Sequence, residues 1–168
     1  MKGLADIILL GDERLYQTCE SLSFQDDALI QEMVTDLHRA LFQFREIYQA
    51  GRAIAAPQLG YMKRLIYMNI DGKATVFINP ELVFLSDKMF ELWDDCMSLP
   101  NLLVRVKRHQ TIHIRYQDQD WNFHTDILEG DLSELLQHEY DHLNGVLCTM
   151  RAIDEKSFRW KPTANPPK

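Results

Sequence analysis

The chain has 168 residues, of which 46% are hydrophobic and 26% charged, with a formal net charge of -7 and a pI near 5.3. These numbers describe a globular chain long enough for one sizeable core. Its acidity argues against nonspecific binding to nucleic acid or to an anionic membrane.

The first apolar stretch, "IILL", is four residues long and is followed at once by Asp12 and Glu13. No signal peptide is expected there, and no apolar run approaches the ~20 residues of a membrane span. Between residues 26 and 50 the apolar positions Leu29, Ile30, Met33, Val34, Leu37, Leu41, Phe44 and Tyr48 recur at intervals of three and four. That spacing predicts one long amphipathic helix, capped by Asp26 or Asp27 and stopped by a left-handed Gly51. The small, turn-rich "GRAIAAPQLG" follows as a loop or bent strand. "RLIYMNI", "ATVFINPELVFL", "LLVRVKRHQTIHIRYQD" and "WNFHTDIL" are β-like, with turn signals at Asp71-Gly72 and at 118–120. Arg105, Lys107 and Arg108 read as a solvated strand edge. A second helix spans about 131 to 144 and is closed by Gly145. There is no internal repeat. The order helix, strands, helix implies an α+β fold with mixed or antiparallel sheets. One domain over 1–154 is expected, followed by a proline-rich and partly disordered tail over 155–168.

Chemistry concentrates in "LSELLQHEYDHLNG". His138 and His142 are four apart, so they share a helix face and can hold one ion. Glu139, beside the first, can reach a water without being a ligand. H-E-x-x-H is the pattern of zinc proteases. Such a site needs a third protein donor. On spacing alone either Cys96, in "WDDCMSLP", or Cys148, downstream of the helix, can serve. Cys19 has no such context. Three cysteines make no disulfide framework and fit a reducing compartment.

These residues resemble a known family, the peptide deformylases, which remove the N-formyl group from nascent polypeptides. "GRAIAAPQ" resembles the family's first motif, "DDCMS" its second, and "QHEYDHLNG" matches its third throughout. "ILLGDERL" and "FINPEL" also have counterparts. The similarity runs from about Ile8 to Asp154. It implies mixed or antiparallel sheets around a central metal-binding helix. It implies Cys96, His138 and His142 as ligands of one divalent ion, Fe(II) by family habit, with Zn(II), Ni(II) or Co(II) as substitutes. Cys148 then becomes packing. Glu139 is implied as general base and acid, and Gln58 and the backbone N–H of Met97 as donors to the oxyanion. Asp141 is implied as a residue that orients the helix or a ligand. Arg52, Ala53, Ile54, Asp94, Asp95, Glu134 and Leu135 are implied to line the substrate site.

The motifs also depart from the family. Ala53 replaces a glycine, and its methyl group is expected to crowd the substrate chain. Asp94-Asp95 replaces Glu-Gly. Asp131 and Glu134, on the face of His138, are acidic at positions that are apolar in the family, and an Arg52–Glu134 ion pair is expected. Three functions follow. The first is deformylation of formyl-methionyl chains in a bacterial, phage-infected or organellar interior, with transient ribosome association and neither nucleic acid nor membrane as partner. The second is the same chemistry on a different N-acyl substrate, and the third is a non-catalytic metal-binding homologue.

Overall fold

A computed structural model describes residues 1–161 of the chain. Helix α1 spans Asp27–Tyr48. Strands β1 (Ala53–Ala55), β2 (Leu65–Ile70), β3 (Lys73–Leu85), β4 (Met89–Asp95), β5 (Leu102–His109), β6 (Thr111–Gln117) and β7 (Phe123–Glu129) follow. Helix α2 spans Gly130–Leu143, and β8 covers Phe158–Trp160. One sheet has the order β1-β2-β3-β6-β7 and the other β4-β5-β8, and all pairings between these strands are antiparallel. The α+β expectation is met. Among the described residues, no helix is long and apolar enough to cross a membrane.

Alternation along β1 and β2 decides where the helices sit. Ile54, Leu65 and Tyr67 point to one face and join Ile30, Met33, Leu37, Leu41 and Phe44 of α1 in one core cluster. Ala53, Ala55 and Ile66 point to the other and join Leu135, Leu136 and Leu143 of α2, with Phe77, Ile112 and Ile114. The five-stranded sheet is thus filled on both faces. The two alanines are small where α2 lies against β1. Each of the fully buried aliphatic side chains contributes roughly 1.5–3 kcal/mol of transfer free energy.

Several boundaries differ from those expected. α1 ends at Gln49, which takes the left-handed conformation (φ 53°), two residues before the glycine expected to do so, and Asp26 makes no side-chain cap bond. The run 102–118 divides at Gln110 into two strands that belong to different sheets. Strand β4 was hidden by its acidic residues. Of the expected tail, Phe158–Trp160 pairs with β5, and residues 162–168 lie outside the described residues.

Candidate metal centre and its cleft

Helix α2 is fixed at both ends before it presents any chemistry. Near its start, Ser133 Oγ and Gln137 Nε2 donate to the His109 carbonyl at 2.7 and 2.9 Å, and His109 N–H donates to Gln137 Oε1 at 3.0 Å. At its end Cys19 N–H and Arg64 donate to the Leu143 carbonyl at 2.9 and 3.2 Å. Bonds of this kind satisfy the orphan carbonyls of a helix terminus. The chain leaves α2 through Gly145, whose φ of 69° suits glycine.

Cys96 follows β4 in a tight turn closed by Leu99 N–H on the Cys96 carbonyl at 3.0 Å. Its Sγ lies 3.3 Å from His142 Nε2, and His142 Nε2 lies 3.2 Å from His138 Nε2. All three side chains are buried, and their donor atoms lie within 4.8 Å of one another. Bonds of about 2.0–2.3 Å to a tetrahedral ion hold donor atoms roughly 3.3–3.7 Å apart. The set therefore fits one small divalent ion. Asp94, His138 and Cys148 form an overlapping group. Asp94 Oδ2 is already engaged there, accepting from Arg108 at 2.9 Å and lying 2.9 Å from His138 Nδ1. That contact turns Nε2 of His138 toward Cys96 and His142, and such outer partners fix the orientation of ligand imidazoles. Cys148 packs with Val104 and Val106.

The electrostatics follow from burial. Burial pushes the Glu139 carboxyl up to about 7, and its Oε2 is sealed without a hydrogen-bond partner. Burial works against the Asp94 carboxylate too, but His138 and Arg108 outweigh it and hold the group down at about 2. Burial and the neighbouring His138 keep His142 well below the usual imidazole range, which favours the neutral form a metal binds.

Gln58 sits in a 3-10 turn over Ala56–Leu59 that carries Pro57 near its start and closes at Gly60 (φ 75°). Its Oε1 accepts from Ala55 N–H at 2.9 Å. This aims its amide nitrogen toward Cys96 Sγ at 3.5 Å and Ser98 Oγ at 3.2 Å. Met97 is buried beside it, and its N–H makes no backbone hydrogen bond among the described residues.

A cleft of about 120 Å³ opens onto this group. Arg52, Ala53, Gln58, Asp94, Asp95, Cys96, Met97, Glu134, Leu135, His138 and Glu139 border it. The expected Arg52–Glu134 ion pair is present, with Glu134 nearly sealed and Arg52 half-exposed. Burial pushes the Glu134 carboxyl up, against the pull of Arg52. Other expectations need correction. Ile54 is fully buried against α1, and it shares the parity of Arg52, whose carbonyl accepts from Asn69 N–H of β2, so the open edge of β1 is offered by the Ala53 backbone and not by Ile54. The Ala53 methyl group packs in the core beside α2, so it does not crowd that edge. Asp95 is at the rim, paired with Lys161 at 2.8 Å. Asp131 is exposed and does not border the cleft.

Arg108 is the residue that sequence reasoning missed. It is buried, donating from Nη2 to Asp94 and from Nη1 to Asp141 at 2.5 Å. Asp141 also takes two bonds from Arg151, at 2.9 and 2.7 Å. The signal was in the alternation of β5: Val104, Val106 and Arg108 share a parity, so Arg108 turns inward with the two valines.

The polypeptide deformylase family model matches residues 4–158. A peptide deformylase of Rhodopseudomonas palustris strain TIE-1 is 37% identical over 154 residues, 86% of this chain and 83% of that protein. One from Thermotoga petrophila is 30% identical over 153 residues, 89% of this chain and 88% of that protein. The crystal structure of peptide deformylase from Thermotoga maritima superposes with a TM-score of 0.77 at 28% identity, covering 88% of this chain and 97% of that one. The enzyme from Synechococcus elongatus, in complex with actinonin, gives 0.78 at 31%, covering 92% and 84%. A Met-Ala-Ser-bound deformylase from Acinetobacter baumannii gives 0.74 at 25%, covering 86% and 96%. With its third motif intact on α2, the chain belongs to the polypeptide deformylase family.

Proposed function

We propose that this chain is a metal-dependent hydrolase that removes the N-formyl group from the N-terminal methionine of nascent polypeptides. The observation that carries the reading is the convergence of Cys96, His138, His142, Glu139 and Gln58 in one buried cluster at the foot of an open cleft. Each of these polar groups costs free energy to bury, and each has a role in hydrolysing an amide. A binding module needs neither Glu139 nor Gln58, and nothing in the cluster calls for an acyl group other than formyl.

Cys96, His138 and His142 would hold the ion, which supplies a Lewis acid that polarises the formyl carbonyl and makes water nucleophilic at neutral pH. Glu139 takes one proton from the attacking water. As the carbon–nitrogen bond breaks, it passes that proton to the departing amine, leaving formate and a free N-terminus. The Gln58 amide and the Met97 N–H donate to the carbonyl oxygen as negative charge builds on it. The open edge of β1 offers main-chain hydrogen bonds to the extended peptide. Asp94 holds His138, and Arg108 with Asp141 holds Asp94.

Fe(II) is the proposed ion, and Zn(II), Ni(II) and Co(II) suit the same soft-and-imidazole donor set. We place the enzyme in the cytoplasm, near ribosomes that expose formylated chains. The three buried free cysteines and the bacterial relatives support that placement.

Protein loaded with Fe(II) without oxygen should bind one ion per chain and release formate from formyl-Met-Ala-Ser. Chelation should abolish the release, and added metal should restore it. A chain that binds its ion stoichiometrically yet releases no formate would contradict the proposal.

A further inference from the structure

The cleft beside the metal donors has mixed walls. Phe44, Leu92 and Leu135 are apolar, but Arg52 and Glu134 face the same space. Glu134 stands one turn before His138 on α2, so it lies on the face that carries the chemistry. Its Oε1 accepts from Arg52 Nη2, while Arg52 Nη1 donates to the Asp131 carbonyl at 3.2 Å. Glu134 Oε2 accepts no hydrogen bond among the described residues and is not one of the sealed polar atoms. That oxygen keeps some accessible surface, and Glu134 is one of the residues that line the cleft. An ion pair in such a place loses hydration and adds little stability, whereas apolar side chains of similar volume would suit a thioether better. The pair is neutral overall, and it offers one free acceptor beside guanidinium donors.

We propose that the Arg52–Glu134 pair determines specificity for the residue that carries the formyl group, admitting an unbranched carboxamide side chain alongside methionine. The substrates so added are formyl-glutamine peptides. Glutamine has the length of methionine. Its two methylenes can lie along Phe44, Leu92 and Leu135. Its amide can donate to Glu134 Oε2 and accept from Arg52. A lysine or glutamate side chain brings a charge that the already neutral pair does not compensate. This inference rests on the deformylase reading.

The test is formate release by Fe(II)-loaded protein from formyl-X-Ala-Ser, with X as methionine, glutamine, norleucine, lysine or glutamate. The wild type is compared with the double variant Arg52→Met/Glu134→Leu. In the wild type, kcat/KM for glutamine should fall within about tenfold of that for methionine, with lysine and glutamate lower than both. In the double variant, the glutamine-to-methionine ratio should drop by at least about tenfold, while norleucine keeps pace with methionine. A ratio within one preparation is insensitive to a general loss of folded enzyme. The proposal is overturned if wild-type glutamine turnover falls more than about tenfold below methionine, if lysine is preferred to glutamine, or if the ratio does not move in the variant. If no formyl peptide is cleaved by a chain that holds its ion, the deformylase reading itself fails, and this inference with it.

Discussion

One oxygen of Asp94 joins His138, a proposed metal donor, to the buried Arg108: Oδ2 lies 2.9 Å from His138 Nδ1 and 2.9 Å from Arg108 Nη2. The imidazole is thereby held with Nε2 toward Cys96 and His142. Asp94→Asn keeps the size and removes the charge. It should weaken metal binding by about 10–100-fold, as read by competition with a chelator of known affinity. Unchanged affinity would mean that His138 is held by packing alone.

Arg108 and Arg105 lie on the same strand and differ in burial. The Arg108 side chain is 2% exposed and bridges Asp94 and Asp141, whereas Arg105 pairs with Asp154 at 36% and 46% exposure. Removing one partner of a buried pair leaves a charge uncompensated. Arg108→Met should therefore cost about 3–5 kcal/mol in urea unfolding. Arg105→Met should cost no more than about 1 kcal/mol. Equal losses would contradict the inward orientation of Arg108.

The cysteines separate the two overlapping donor groups. Cys19 and Cys148 are buried, and burial pushes the Cys19 thiol up to about 11 despite Arg64 nearby. Buried, protonated thiols react slowly. The metal-loaded native chain should show no fast-reacting thiol, and chelation should expose only Cys96, located by mass spectrometry after alkylation. Cys96→Ala should abolish metal binding and Cys148→Ala should leave one ion per chain. The reverse pattern would assign the ion to Asp94, His138 and Cys148.

Gly145 turns the chain away from the metal helix with φ 69°, and a Cβ there would meet the Tyr16 carbonyl and come within 2.9 Å of Gln17 N. Gly145→Ala combines backbone strain with a clash against backbone that has no rotamer to yield. A stability loss of about 2–4 kcal/mol is expected, measured by thermal or urea unfolding. A loss below about 0.5 kcal/mol would show that the turn relaxes freely.

Sequence made the metal helix legible because the three–four spacing of an α-helix puts His138 and His142 on one face whatever the tertiary context. It left the third donor open between Cys96 and Cys148, because that choice depends on how β4 and the segment after α2 pack. The family resemblance points to Cys96, and the proposed site uses it. Arg108 is hidden because its charge suggests solvent, whereas it shares the inward parity of Val104 and Val106. Strand β4 escaped because Glu91, Asp94 and Asp95 mask its alternation, although Asp94 is buried. The fate of Ala53 and Ile54 was decided by which face of β1 meets α1 and which meets α2, a tertiary fact with no local signature. Glu134 and Asp131 looked equivalent as acids one and two turns before His138, yet only Glu134 faces the cleft.

The most direct test of the account is the rate of formate release from formyl-Met-Ala-Ser by Glu139→Ala beside the wild type, with the bound metal quantified in both. Glu139 is not one of the three proposed metal donors, and it stands beside His138 on the helix that carries two of them. The account predicts full metal content and a loss of at least about 100-fold in kcat for the variant. A variant that holds the ion and hydrolyses the formyl peptide at the wild-type rate would contradict it.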